Sequence, residues 1–408
     1  TRSATPVPTP SPTPLPTPSP TPVTGGPDIN GRKIIGYFPE WGIYQRAYHV
    51  SDIPAGKLNV INYAFANVTA NGDVVLFDSY AAIEKQYPGD TWDQPLRGNF
   101  NQLIKLKQKY PHLRTMISIG GWTLSGTFSD VALTSSSRDR FARSAIDFMR
   151  RYGFDGVDID WEYPVGGGLP SNKVRAQDKQ NYTLMLQELR RQLDVAGNND
   201  GKKYYLTIAA PAGLDKIANL EPAKIAATVD WINVMTYDLH GGWENVTGHH
   251  SGMKGATPSD PLCVEAAIEA YLSAGVPPSK LTAGIPFYGL SWKNVGPANN
   301  GLRQPANGVP MGTYDNTGMF DYRDIVDRLA TRPGVYKRFW DETAKVPWIY
   351  AAGENNGTFI TYEDTESVRY KTKLIRDRGL AGAMFWELSS DTKNPADSLL
   401  QAIYDDLK

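Results

Sequence analysis

One cysteine, Cys263, occurs in 408 residues. An intrachain disulfide is impossible, and a thiolate metal site is excluded with it. Neither sign of charge is in excess: 43 acidic residues stand against 42 basic ones, with no run of either kind. A polyanion such as nucleic acid needs a cationic footprint on its partner, so a neutral ligand fits better. No apolar run reaches the roughly 18–20 residues that span a bilayer. No glycine-rich phosphate fingerprint follows the first strand-like run, which counts against a dinucleotide fold. A signal peptide is lacking too, but the chain opens on Thr1 rather than Met. It is read as a processed or excised fragment, and the missing leader says little about compartment.

What is present begins with a separate compositional zone. Proline occupies every even position from Pro6 to Pro22, alternating mainly with Thr and Ser. Proline fixes φ and removes the N–H donor, so this stretch favours polyproline II. At about 3.1 Å per residue it would reach on the order of 50 Å. Residues 1–27 are therefore expected to be a Pro/Thr-rich linker, tethering residues 28–408 to a further module.

From Arg32 onward, apolar strand-like runs alternate with amphipathic helical stretches. Strands are expected at 33–38, 58–66, 113–119, 155–162, 204–210, 230–236, 281–287 and 380–387. Helices are expected at about 99–109, 137–152, 176–196, 264–275, 364–378 and 396–407. Eight β-then-α units point to an α/β fold, a (β/α)8 TIM barrel, with an open doubly wound sheet as the alternative. The connection between the seventh and eighth strands is far too long for one helix. Its β-like and aromatic stretches, such as Trp348-Ile349-Tyr350, predict a small α+β insertion over 290–362, since structureless loops of that length are uncommon.

The decisive stretch is Asp155-Gly156-Val157-Asp158-Ile159-Asp160-Trp161-Glu162. Alternate side chains of a strand share a face. Asp158, Asp160 and Glu162 then line one side, and Val157, Ile159 and Trp161 the other. In a barrel the apolar set packs on the outer helices and the acids point inward, where they are costly unless they share protons or hydrogen bonds. A solvated strand face is one alternative, but helices on both sides make this strand central. A divalent metal is another, but no further ligand set is evident. Crowded acids cannot all ionise, so at least one keeps a proton near neutral pH. Glu162, last in the row, lies at the C-terminal mouth, where barrel enzymes keep their chemistry.

The run DGVDIDWE resembles the signature of glycoside hydrolase family 18, the chitinases. The resemblance extends to Ser118-Ile119-Gly120-Gly121-Trp122, to Met235-Thr236-Tyr237-Asp238 and to Trp386-Glu387, in that order on the third, sixth and eighth strands. It covers about residues 32–408, including the insertion, which is similar to that of bacterial chitinases with deep clefts. It implies a secreted, monomeric enzyme that cuts chitin and chito-oligosaccharides without metal or cofactor. The implied mechanism is retaining and substrate-assisted, an exception to the usual carboxylate pair. Glu162 would be the acid and then the base. Asp160 would hold the acetamido N–H, Asp158 would share its proton, and Tyr237 would bond the acetamido oxygen. Tyr37 and Ser118 would support Asp158 from beneath, and Gly120 and Gly121 would let backbone and sugar approach. Trp386 would be the floor under the distorted sugar. Met235 and Asp238 would contact the same sugar, while Trp122 and Trp243, and also Trp41, Trp92 and Trp292, would line neighbouring subsites. Trp340 and Trp348 are left to the insertion core. Two departures stand out. Leu290 replaces an arginine that contacts substrate in many relatives, and His250 stands where asparagine is commoner. His250 is read as structural. An N-glycan endoglycosidase and a chitin-binding lectin are the alternatives. A lectin of this kind lacks the acid at the Glu162 position.

Overall fold

The computed structural model describes residues 31–257 and 259–408, so the proline-rich stretch 1–27 lies outside the described residues. Fourteen strands follow in chain order among them: β1 (Lys33–Pro39), β2 (Val60–Val68), β3 (Val74–Leu76), β4 (Arg114–Gly120), β5 (Gly156–Asp160), β6 (Tyr205–Pro211), β7 (Trp231–Met235), β8 (Leu281–Pro286), β9 (Tyr288–Trp292), β10 (Met319–Asp321), β11 (Lys337–Asp341), β12 (Val346–Ala351), β13 (Thr358–Thr361) and β14 (Gly382–Trp386). Eight of them, β1, β2, β4, β5, β6, β7, β8 and β14, pair in parallel, and a β1–β2 pairing closes the ring. β3 is a short antiparallel addition to β2. The chain forms a closed (β/α)8 barrel, and the open-sheet alternative falls.

All eight expected barrel strands occur within about two residues of their expected starts. The fourth is shorter at its end than the alternation of its sequence predicts. Its ladder stops at Asp160, leaving Glu162 beyond it. Side chains satisfy the backbone there: the Glu162 N–H donates to Ser125 Oγ at 2.8 Å, and its carbonyl accepts from Asn172 Nδ2 at 3.0 Å. The acid therefore sits on a loop pinned from outside the sheet.

The helices cover the barrel with their apolar stripes. Ser135–Tyr152 starts at a Thr134 capping box, stops at Gly153 in the left-handed region, and buries Phe141, Ala145, Ile146 and Met149. Val157, Ile159 and Trp161 all join the apolar layer between sheet and helices, so the acidic positions between them face the barrel axis.

Between β8 and the helix Thr365–Asp377, strands β10-β9-β13-β12-β11 form a second sheet, wholly antiparallel. The helix Tyr322–Thr331 accompanies it. Its β12 strand splits by the period-2 rule: Trp348 and Tyr350 join Trp292 and Phe359 in a separate cluster, while Ile349 and Ala351 face the main core. Two tryptophans differ from the sequence reading. Trp292, expected in a subsite, is fully buried in this cluster, with its indole N–H donating to the Glu244 carbonyl at 2.9 Å. Trp340, left to the insertion core, instead lies partly exposed between Arg338 and Tyr370. A single residue changes the face presented on a strand, and composition alone does not fix that register. Arg46 links this sheet to the barrel mouth, reaching Asp321 at 3.1 Å and Glu387 at 3.4 Å.

Candidate active site

Asp158 is the hub of the barrel interior. Its Oδ2 accepts from Tyr37 Oη at 2.7 Å, Ser118 Oγ at 2.8 Å and Asn62 Nδ2 at 3.1 Å. Its Oδ1 accepts from Thr207 Oγ1 at 2.5 Å and, more weakly, from Asn233 Nδ2 at 3.4 Å. These donors come from β1, β4, β2, β6 and β7, so the closure of the barrel itself builds the cradle. Burial and then the Asp158 charge push the Tyr37 hydroxyl well above its usual range, keeping it a neutral donor.

Asp160 is buried one layer above, and its Oδ1 has no protein partner. Burial first, then the Asp158 charge and the contact with Asp158, push its carboxyl well above the usual carboxylate range. A second negative charge next to Asp158 is therefore disfavoured.

Glu162 is half-buried. Burial and the charge of Asp238 push its carboxyl up to about 8, against a smaller downward pull from a Tyr163 hydrogen bond. A carboxylic acid that remains protonated at neutral pH and still reaches the solvent-filled mouth can deliver a proton.

Tyr237 stands half-buried above β7, with its hydroxyl 3.7 Å from Met384 Sδ and its ring edge-on to Tyr288. Tyr288 Oη donates to Asp238 Oδ1 at 2.6 Å. Trp386, at the end of β14, lies parallel to Phe65 at 5.7 Å between centroids, with Tyr37 at 5.5 Å and Trp41 at 6.1 Å. Met235, Tyr237 and Trp386 pack on one inward-facing cluster with Tyr37. The two glycines after Ile119 have positive φ, 109° and 88°. A Cβ at Gly120 would sit 2.4 Å from the Asp160 carbonyl, and one at Gly121 would sit 2.7 Å from the Phe65 ring. Both are thus needed for close packing around Asp160 and the aromatic floor.

Trp122, Trp243 and Trp92 stand at the surface, 47%, 65% and 82% exposed. Sequence reading overlooked Asn62, Thr207 and Asn233 around Asp158, and Ser125, Phe65 and Tyr288 near the mouth. The first three left a signal: each is a polar residue within an apolar run of a buried strand, where an unpaired polar group would be costly. Among the described residues, no group of three or more His, Cys, Asp or Glu side chains is placed to hold a metal ion.

The family described as Glycosyl hydrolases family 18 matches residues 33–391. The chain is 46% identical to Chitinase A1 of Niallia circulans over 91% of its own length and 58% of that protein's. It is 36% identical to Chitinase 1 of Aphanocladium album, over 91% of this chain and 84% of that one. Among solved structures, chitinase ChiA74 from Bacillus thuringiensis superposes with a TM-score of 0.86 at 42% identity, covering 92% of this chain and 69% of that chain.

Proposed function

This chain belongs to family 18 of the glycosyl hydrolases, and from that premise we propose that it hydrolyses β-1,4-N-acetylglucosamine linkages of chitin by a retaining, substrate-assisted mechanism. The observation that carries the reading is Glu162: a carboxylic acid pushed up to about 8, open to the barrel mouth. Glu162 gives its proton to the glycosidic oxygen as the C1–O bond breaks, and the sugar's own acetamido oxygen bonds to C1, forming an oxazolinium ion. Water then opens the ring at C1, and the Glu162 carboxylate takes the water's proton, which restores the acid.

The other residues support that sequence. Asp160 passes its proton toward Asp158 and accepts the acetamido N–H, steadying the positive ring. Tyr237 donates to the acetamido oxygen, and Trp386 offers a face for the sugar's C–H groups. Met235 and Asp238 contact the same sugar, while Trp122 and Trp243 carry the flanking units. A protein nucleophile has little to recommend it, because both Asp158 oxygens are engaged by donors and Asp160 is buried, where burial and the Asp158 charge disfavour its ionised form. The relatives named chitinases support a chitin substrate. So do the exposed tryptophans, which suit a long neutral polymer. We read 28–408 as the catalytic unit, 290–362 as an α+β subdomain walling its cleft, and 1–27 as a tether to another module. The enzyme acts as a monomer outside the cell, where an insoluble polymer is found. No helix among the described residues is long and apolar enough to cross a membrane.

Partly acetylated chitosan tests the mechanism. Only a sugar with an acetamido group can form the intermediate, so new reducing ends should be N-acetylglucosamine almost exclusively, and fully deacetylated chitosan should resist cleavage. Abundant glucosamine at those ends would mean that a protein carboxylate attacks. Parallel digests of chitin and a high-mannose glycopeptide distinguish this enzyme from an N-glycan endoglycosidase.

A further inference from the structure

His250 is 1% exposed, and neither of its ring nitrogens has a hydrogen-bond partner. A buried polar group without a partner carries the full cost of its desolvation, so an imidazole kept in this state calls for an explanation. Its backbone is fixed on both sides: the N–H donates to Thr361 Oγ1 at 3.2 Å, and the carbonyl accepts from the Leu239 N–H at 3.0 Å. The ring stands edge-on to Tyr288 at 5.4 Å, and Nδ1 is 3.7 Å from Asp238 Oδ1.

We propose that His250 is a positioning residue for Asp238, the inner of two donors that hold the Asp238 carboxylate beside Glu162. Tyr288 is the other donor, and it bonds the same oxygen. Asp238 has room to meet both, because its side chain is 48% exposed and its backbone sits in the left-handed region at φ 56°. A movement of about 1 Å brings Nδ1 and Oδ1 to hydrogen-bonding distance. With the proton on Nδ1, only a lone pair on Nε2 stays unmet. On the same side Leu290, the register partner of Thr361, is buried and apolar and adds no donor. The Asp238 charge reaches Glu162, Tyr163, Tyr237 and Tyr288, so the place where this carboxylate rests tunes the acid that works on substrate. The inference rests on Glu162 being the acid/base.

The test uses the full chain with His250→Phe and His250→Asn. Phenylalanine fills the volume and removes both unmet nitrogens, so simple packing predicts an unchanged or more stable enzyme at full rate. Positioning predicts instead a kcat about tenfold lower with a smaller change in KM, and a descending limb of kcat/KM moved to lower pH. The unpinned carboxylate then turns to solvent and raises Glu162 less. Asparagine restores a donor and should recover most of the rate. A third readout is independent of turnover: with a thiazoline inhibitor bound, 15N spectra of the His250 ring should show a hydrogen-bonded Nδ1–H. A Phe variant with wild-type rate and pH profile overturns the proposal. If that variant misfolds, a folded Asn variant that fails to recover the rate overturns it as well. Should Glu162→Gln remain active, the functional reading falls by itself, and the ring spectrum still decides the His250–Asp238 contact.

Discussion

Replacing Glu162 with glutamine separates the two consequences of a buried acid. At about 8, the side chain is about 90% protonated at pH 7; at an ordinary 4.5 only about 0.3% would be. The site thus supplies on the order of 300-fold more acid at neutral pH than an exposed glutamate would. Wild-type kcat/KM should therefore bend downward near pH 8 and fall about tenfold per further pH unit. Glutamine keeps the shape but has no proton to give, so kcat should drop by at least about 10²–10⁴. Binding of chito-oligosaccharides should survive.

Stability should move the other way. The folded carboxyl holds its proton up to about 8 and the unfolded one only to about 4.5, so the native state binds more protons across that window. Unfolding free energy then falls as pH rises from 4.5 to 8, and the loss is complete above 8. The gap corresponds to an upper limit on the order of 5 kcal/mol, smaller in practice because Glu162 is partly open to water. Glutamine does not titrate, so the variant should unfold at a higher temperature than wild type at pH 9 and at much the same temperature at pH 4. Stopped rate assays from pH 5 to 9 and thermal melts at both extremes check this. Activity above about a tenth of wild type, with contamination excluded, or a flat wild-type profile to pH 9, would refute the assignment.

Two further outcomes follow from the Asp158 cradle. Thr207→Val removes the shortest donor to Asp158 Oδ1 and leaves only the long Asn233 contact. A hydrogen bond to a charged group is worth about 1.5–3 kcal/mol, so kcat should fall at least about tenfold at nearly constant KM, and unchanged steady-state kinetics would contradict the cradle's role. Exhaustive chelation should leave the rate intact, because both oxygens of Asp158, the central carboxylate of the row, are already taken by five protein donors. Loss of activity restored by calcium or zinc would overturn that.

The sequence was readable where physics imposes a period. Val157, Ile159 and Trp161 had to face helices if Asp158 and Asp160 faced inward, and one strand with both properties, repeated among eight βα units, leaves little besides a closed barrel. The same logic places Trp348 and Tyr350 on one face of β12 and Ile349 on the other. It fails where a residue's role depends on partners distant in sequence. Thr207 and Asn233 look like ordinary strand residues until the closed ring brings β6 and β7 around Asp158. Trp292 looks like a subsite tryptophan because it follows β8, yet its position in β9 turns it into the second sheet's core. Glu162 shows both limits at once. Alternation assigned it to the strand, although Ser125 and Asn172 hold it on a loop, and that loop gives the carboxyl access to the mouth while the barrel below keeps it neutral. Residue type and spacing are therefore enough to nominate the acid. Its proton affinity comes from burial and from the charge of Asp238, 76 residues later in the chain.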